Sequence, residues 1–157
     1  MQHAFQISRK IEYGTRAMLY LASLPDGMTT SFKEIGRQMA IPQQFLAKIL
    51  KTLVDTGLVR STRGPHGGYA LARKSSEVSF LDVIEAVEGQ VALNTCLDGE
   101  DACGHSSQCT MVQVWRLGQV RMLDVYRQVK LAELTFKPAD DGTLGLVQLQ
   151  LHAPRIA

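Results

Sequence analysis

The sequence predicts a mainly α-helical fold with one small β-hairpin and a long helix after it. Apolar residues recur at helical spacing through most of the chain, and a Gly/Pro-rich loop at residues 63–68 separates two short β-favouring runs. With 157 residues, 45% hydrophobic and 20% charged, the composition is that of a folded globular protein. No apolar run approaches the roughly 18 residues that a membrane span needs, so we expect no membrane partner.

The N-terminus and the cysteines favour a cytoplasmic protein. Residues 1–5 lack the basic start and the cleavage site of a secretory signal. The three cysteines all lie within residues 96–109, whereas a secreted disulfide scaffold normally shows an even number spread along the chain. We therefore expect reduced thiols.

Basic residues are concentrated in the first half of the chain. Residues 1–75 carry eleven Lys/Arg against four Asp/Glu, a net charge of +7, while residues 76–157 carry six against eleven, a net charge of −5. A basic half joined to an acidic half indicates that the first half meets a polyanion. The alternative is that these charges only solvate helix faces.

Three helices are predicted in the basic half. The first covers residues 11–24, and the second begins at Ser31, where Glu34 three residues later completes a capping box. Pro42 suits the first turn of the third helix, and Gly57 suits its C-terminal end.

The third helix has one apolar face and one polar face. Its apolar stripe consists of Phe45, Leu46, Ile49, Leu50, Leu53 and Val54. Its polar face presents Gln43, Gln44, Lys48, Lys51 and Thr52. Such side chains read base edges and hold phosphates, so we expect a helix-turn-helix unit with these residues on double-stranded DNA.

A basic hairpin directly follows that helix. Arg63 lies at the base of its Gly/Pro-rich loop and His66 at the tip. This pattern predicts the wing of a winged helix-turn-helix domain over residues 1–76, with Arg63 and His66 in the adjacent minor groove. The alternative is a tight turn that touches nothing.

The acidic half is expected to carry a connecting helix and a long dimerisation helix. The connecting helix begins at a second capping box, Ser79 with Asp82, and residues 77–109 also hold the cysteine loop. Residues 110–134 form the predicted dimerisation helix, since operators usually contain two half-sites. Its dimer-facing residues are predicted to be Val112, Trp115, Val120, Leu123, Tyr126 and Val129. An ordinary core helix is the alternative, and residues 135–157 form a tail without an assigned role.

The cysteine loop is a candidate metal centre. Cys96, Cys103 and Cys109 are separated by six and five residues, in a loop with too few apolar residues to form a core. Thiolates bind zinc or iron–sulfur clusters, and gaps wider than the C-x₂₋₄-C of structural zinc favour the multi-iron centre. Glu12 and His105 are candidate fourth ligands. Zinc and metal-free thiols remain alternatives.

These features in this order resemble the Rrf-type winged-helix transcription regulator family, whose IscR, NsrR and RirA types bind clusters. The resemblance covers residues 6–134 and rests on the wing sequence 63–69, on the segments 12–22 and 82–89, and on the three cysteines. It implies a homodimeric repressor whose operator affinity depends on a [2Fe-2S] or [4Fe-4S] cluster on the three cysteines. Such a cluster would sense iron–sulfur status, nitric oxide or redox state, and Glu12 falls where some members supply a ligand from the other subunit.

The chain departs from the family pattern at two points. Val112 stands where the IscR type has a histidine ligand, and the first cysteine gap is one residue longer than in IscR and NsrR. The nuclearity of the cluster and the signal therefore cannot be carried over. The sequence contains no Ser/His/Asp grouping, HExxH motif or nucleotide loop, so we do not expect an enzyme.

Overall fold

The computed structural model describes residues 7–65, 67–99, 103–105 and 108–134, together with the backbone at 137–138 and 144–145. Its helices and strands follow in chain order: α1 (Arg9–Ser23), α2 (Phe32–Met39), α3 (Gln43–Asp55), β1 (Val59–Thr62), β2 (Gly68–Leu71), α4 (Phe80–Glu88), α5 (Met111–Gln128), β3 (Lys137–Pro138) and β4 (Leu144–Gly145). The predicted mainly α fold with a β-hairpin is confirmed. No helix in the described ranges is both long and apolar enough to cross a lipid bilayer.

Serine side chains begin several of the helices. Ser31 accepts a hydrogen bond from the Glu34 amide at 3.1 Å, but Glu34 does not return the bond and instead accepts hydrogen bonds from Arg37. The predicted box at α2 is thus formed in one direction only. At α4 the box is complete, because Ser79 accepts from the Asp82 amide and Asp82 accepts from the Ser79 amide.

The turn between α2 and α3 is tight. Ala40 ends α2 in the left-handed conformation (φ 50°), and the Ile41 amide donates to the Gly36 carbonyl at 3.0 Å. A Cβ at Gly36 would meet both the Ile41 carbonyl and Leu46 at 3.4 Å, so the two helices pack closely there. Pro42 is the residue before α3 and not its first helical residue, and its carbonyl accepts from the amides of the first turn.

The hairpin is antiparallel, with Val59 opposite Leu71 and Thr62 opposite Gly68. Thr30, just before α2, adds a short bridge to its outer edge through two backbone hydrogen bonds with Tyr69 at 2.9 and 3.0 Å. Gly68 is required at this crossing, because a Cβ would lie 2.4 Å from the Thr30 carbonyl. The wing is thereby fixed against the start of α2.

One hydrophobic core joins both halves of the chain. It contains buried residues of α1, α2 and α3 together with Val78, Val83, Val87 and Leu131. The packing of α1 on α4 is closest at Gly14, where a Cβ would lie 2.7 Å from a Val87 methyl. The core therefore crosses the predicted boundary at residue 76, and the division into segments remains a prediction.

The long helix α5 is shorter than the predicted 110–134. It ends at Gln128, and residues 129–131 pair with residues 78–80 at the start of α4. The Phe80 amide donates to the Val129 carbonyl and the Leu131 amide donates to the Val78 carbonyl, both at 2.9 Å. This long-range backbone pairing ends the helix, because the residues after Gln128 adopt an extended conformation to form it. In the C-terminal tail, β3 pairs with β4.

Candidate nucleic-acid interface and cysteine site

The polar face of α3 is presented to solvent. Leu46, Ile49, Leu50 and Leu53 are buried and fix the orientation of the helix. Gln43, Gln44, Lys48 and Lys51 are exposed and Thr52 is half-buried, so the structure brings the predicted DNA-binding residues of this helix onto one surface.

The cations on this face differ in their partners. Lys51 forms an ion pair with Asp55 at 2.5 Å, an acid on the same helix that offsets its charge. Lys48 has no ion pair among the residues that the structure describes. The Thr52 hydroxyl donates to the Lys48 carbonyl at 3.0 Å, which leaves its lone pairs to accept. Lys48 is therefore the cation of α3 most available to a phosphate.

The wing presents Arg63 to solvent, next to Gly64 and Pro65, which are also exposed. A Cβ at Gly67 would overlap the Thr62 carbonyl at 2.1 Å, so the loop closes only around a glycine. His66, the other predicted wing contact, lies outside the described residues.

Two side chains of α1 support the helix-turn-helix unit. The Tyr13 ring lies 5.7 Å from the Phe45 ring of α3, and the Arg16 guanidinium lies 5.9 Å from the centre of the Tyr13 ring. Arg16 also donates to the Met39 carbonyl at the end of α2, at 3.4 Å. α1 thus contacts both helices of the unit.

Glu34, on α2, has a strongly lowered pKa. Hydrogen bonds from Arg37 and then from Gln38 lower the pKa of its carboxyl from 4.5 to about 2. Glu34 is ionised near neutral pH and offsets the positive charge of Arg37. The net charge counted from the sequence of residues 1–75 treats Arg37 as a cation without showing this pairing.

The three cysteines are unpaired and half-buried. Cys96 lies in a short 3₁₀ turn, Thr95–Leu97, that packs against α5, and the Cys109 carbonyl accepts from the Val112 amide in the first turn of α5. Within the described part of the chain, no three His, Cys, Asp or Glu side chains are close enough together to hold a metal ion. The thiols suit a soft metal centre by chemistry, but the protein contacts do not gather them.

The two candidate fourth ligands differ in their surroundings. His105 is exposed in the cysteine loop. Glu12, on α1, forms an ion pair with Arg16 and lines a largely apolar groove of about 380 Å³ between α1, α4 and α5. Glu12 thus lies on an open surface, and among the described residues it belongs to no group of three potential metal ligands.

The exposed apolar face of α5 differs from the predicted one. Val112 is buried in its own chain with 6% exposure, and the half-buried Tyr126 packs edge-on against Phe80 at a centroid distance of 5.3 Å. Trp115, Leu123 and Val129 are half-buried, and Val120 is exposed. The large exposed apolar side chains of this helix are Met111, Val114, Leu117 and Val120.

Sequence periodicity missed these residues because it detects that a helix has apolar positions on a broad arc, but not which part of the arc the chain itself covers. The same limitation applies to Phe45, placed in the buried stripe by its spacing and 42% exposed in the structure.

Comparison with known proteins identifies relatives along most of the chain. The Rrf2 family, described as an iron-dependent transcriptional regulator, matches residues 7–137. A Mycobacterium tuberculosis protein named as an HTH-type transcriptional regulator is 34% identical over 129 residues, which cover 82% of this chain and 80% of that protein.

Solved structures with the same fold include two regulators. T. potens IscR has a TM-score of 0.67 at 26% identity and covers 82% of this chain and 85% of its own. The oxidised form of Staphylococcus aureus CymR has a TM-score of 0.64 at 27% identity and covers 82% and 94%. These relatives are DNA-binding transcriptional regulators and not enzymes, and they confirm the predicted winged-helix class. The chain belongs to the Rrf2 family of transcriptional regulators.

Proposed function

We propose that this regulator is a homodimeric repressor whose affinity for its operator is set by an iron–sulfur cluster on Cys96, Cys103 and Cys109. The observation that carries the proposal is the set of three unpaired, half-buried thiols directly before α5. Sulfur ligands without a competing disulfide suit iron, and the iron-dependent description of the family supports that metal.

In the described part of the loop between α4 and α5, no three potential ligands lie close enough together to hold a metal ion. Cluster binding would therefore be coupled to a change in the conformation of this loop, as metal binding and folding are in other small metal sites. When bound, the cluster supplies a centre that responds to iron supply, nitric oxide or redox state. The fourth ligand is Glu12 of a second subunit or His105.

Contacts at the end of α4 can relay the state of this loop to the DNA-binding unit. Glu88 accepts a hydrogen bond from Ser8, and Lys10 lies 3.9 Å from Glu88 and donates to the Val87 carbonyl. α1 therefore holds the end of α4 with its first turn. Through Tyr13, one turn further on, it also touches the recognition helix.

The exposed polar face of α3 and the exposed wing would contact the DNA. The N-terminal half of α3 enters the major groove with Gln43, Gln44 and Lys48, and the wing reaches the minor groove with Arg63. Repositioning α1 would change the separation of the two DNA-binding units in a dimer. We expect a coupling free energy of about 1–3 kcal/mol between cluster binding and DNA binding.

The homodimer rests on the exposed apolar side chains of α5. Leu117 is 59% exposed and shares its helix with Met111 and Val114, all three on the side turned away from the subunit core. A second copy of α5 is the simplest cover for such a stripe.

The experiment is anaerobic purification followed by an absorption spectrum and by iron and sulfide analysis. We expect a coloured protein whose visible absorbance is lost in Cys103→Ala but retained in Asp98→Ala, a change at an exposed neighbour in the same loop. Cluster content in Glu12→Ala and His105→Ala then identifies the fourth ligand. A protein that stays colourless and free of iron after anaerobic reconstitution would refute the cluster.

A second candidate is a regulator without iron, which uses the thiols as zinc ligands or as redox groups. It is favoured by the absence of a gathered ligand set among the described residues and by the likeness to CymR, solved in an oxidised form. Operator affinity that is unchanged by iron chelation but altered by thiol oxidation would support it.

A further inference from the structure

Phe45 is an exposed aromatic residue in the first turn of the recognition helix. It follows Gln43 and Gln44 directly, and its side chain is 42% exposed. On the helix surface it neighbours Lys48, three residues later, at the border between the buried stripe and the polar face. The N-terminal residues of a recognition helix are those that contact base edges.

The position of the Phe45 ring is fixed from one side. Tyr13, itself buried with 7% exposure, holds it at a centroid distance of 5.7 Å and an interplanar angle of 58°. The Arg16 guanidinium lies 5.9 Å from the Tyr13 ring and bonds the Met39 carbonyl, so the supporting ring is tied to the helix-turn-helix unit. Part of an apolar ring is therefore held at the surface, at the border of the polar face of α3.

The major groove contains one apolar group, the C5-methyl of thymine, and phenylalanine is among the residues that contact it. We propose that Phe45 reads a thymine methyl group in the operator and so determines specificity, with Tyr13 as its positioning residue. The proposal rests on the proposed placement of α3 in the major groove. If Phe45 served only to pack α3 against α1, the side of its ring away from Tyr13 would have no role.

The test uses duplexes that the purified full-length protein selects from a random DNA library. In the selected duplex each dT is replaced in turn by deoxyuridine, which removes the C5-methyl and leaves every hydrogen-bonding group in place. For the unaltered protein we expect one dT in each half-site at which the Kd rises about fourfold, the equivalent of about 0.8 kcal/mol for one buried carbon. A Kd that is indifferent to the methyl group at every position overturns the proposal.

Protein variants locate the contact. Phe45→Ala should bind the thymine and the deoxyuridine duplexes equally, whereas Lys48→Ala should bind both more weakly and keep the fourfold ratio. Phe45→Leu retains an apolar side chain against Tyr13 and serves where the alanine variant fails to fold; we expect a reduced ratio. A full ratio in either Phe45 variant overturns the assignment. Failure of the unaltered protein to select any duplex would instead refute the proposed function.

Discussion

Replacing Gly14 by alanine tests the close packing of α1 on α4. The new methyl group would lie 2.7 Å from Val87 Cγ2, about 1 Å inside the optimal carbon–carbon separation of about 3.5–4.0 Å. Val87 is 2% exposed and β-branched in a helix, so it has little freedom to turn away. Overpacking costs about 1–3 kcal/mol, while alanine in place of a helical glycine contributes about 0.8–1.0 kcal/mol. We expect a net destabilisation of about 1 kcal/mol.

The assay is equilibrium urea unfolding at one fixed protomer concentration, because the proposed dimerisation would make the apparent stability depend on concentration. In the Val87→Ala background the overlap is gone, so Gly14→Ala should now stabilise by about 1 kcal/mol, a reversal of sign. Gly118→Ala in α5 is the matched control, since its Cβ would meet Leu93 at an ordinary 3.9 Å. If Gly14→Ala destabilises equally in both backgrounds, the contact with Val87 is not its cause.

Three further predictions concern the caps, the charges and the dimer. Ser79→Ala removes the buried cap of α4 and should lower the unfolding free energy by about 1 kcal/mol in urea; an unchanged midpoint would contradict this. The Glu34 carboxyl, with its pKa of about 2, contributes stability that is fully present above its ordinary value of 4.5 and is lost as the pH falls through about 2. Arg37→Gln should raise that pKa toward 4.5 in an NMR titration, and an unshifted curve would show that Arg37 is not the cause. Leu117→Glu should yield folded monomers in sedimentation equilibrium, while Arg116→Glu, an exposed neighbour off the apolar stripe, should stay dimeric; a dimeric Leu117→Glu would exclude α5 as the interface.

Local signals in the sequence predicted the elements that local chemistry decides. The cap at Ser79 follows from side chains within one turn, and the left-handed Gly57 (φ 73°) lies just beyond α3 as expected. The amphipathic pattern of α3 likewise predicted which leucines are buried, because burial on a helix repeats with its period.

Features that depend on distant parts of the chain were not predictable in this way. The end of α5 is decided by backbone pairing with residues 78–80, which no window around Gln128 contains. The exposure of Phe45 and the burial of Val112 depend on which neighbour covers each side of a helix. The positions of the cysteines also depend on long-range packing. Their spacing in the sequence indicates metal-binding chemistry but does not give the distances between the thiols.

The core that joins residues on both sides of position 76 has a consequence for how the molecule melts and how it is dissected. A fragment ending at that position would keep α1 but lose Val78, Val87 and Leu131, and water would reach the side chains that these cover. The halves should therefore unfold in a single transition and should not survive as separate pieces. Because α1 shares this core with Val87 and Leu131, a displacement of α1 should strain the same packed side chains that hold the segments carrying Val87 and Leu131.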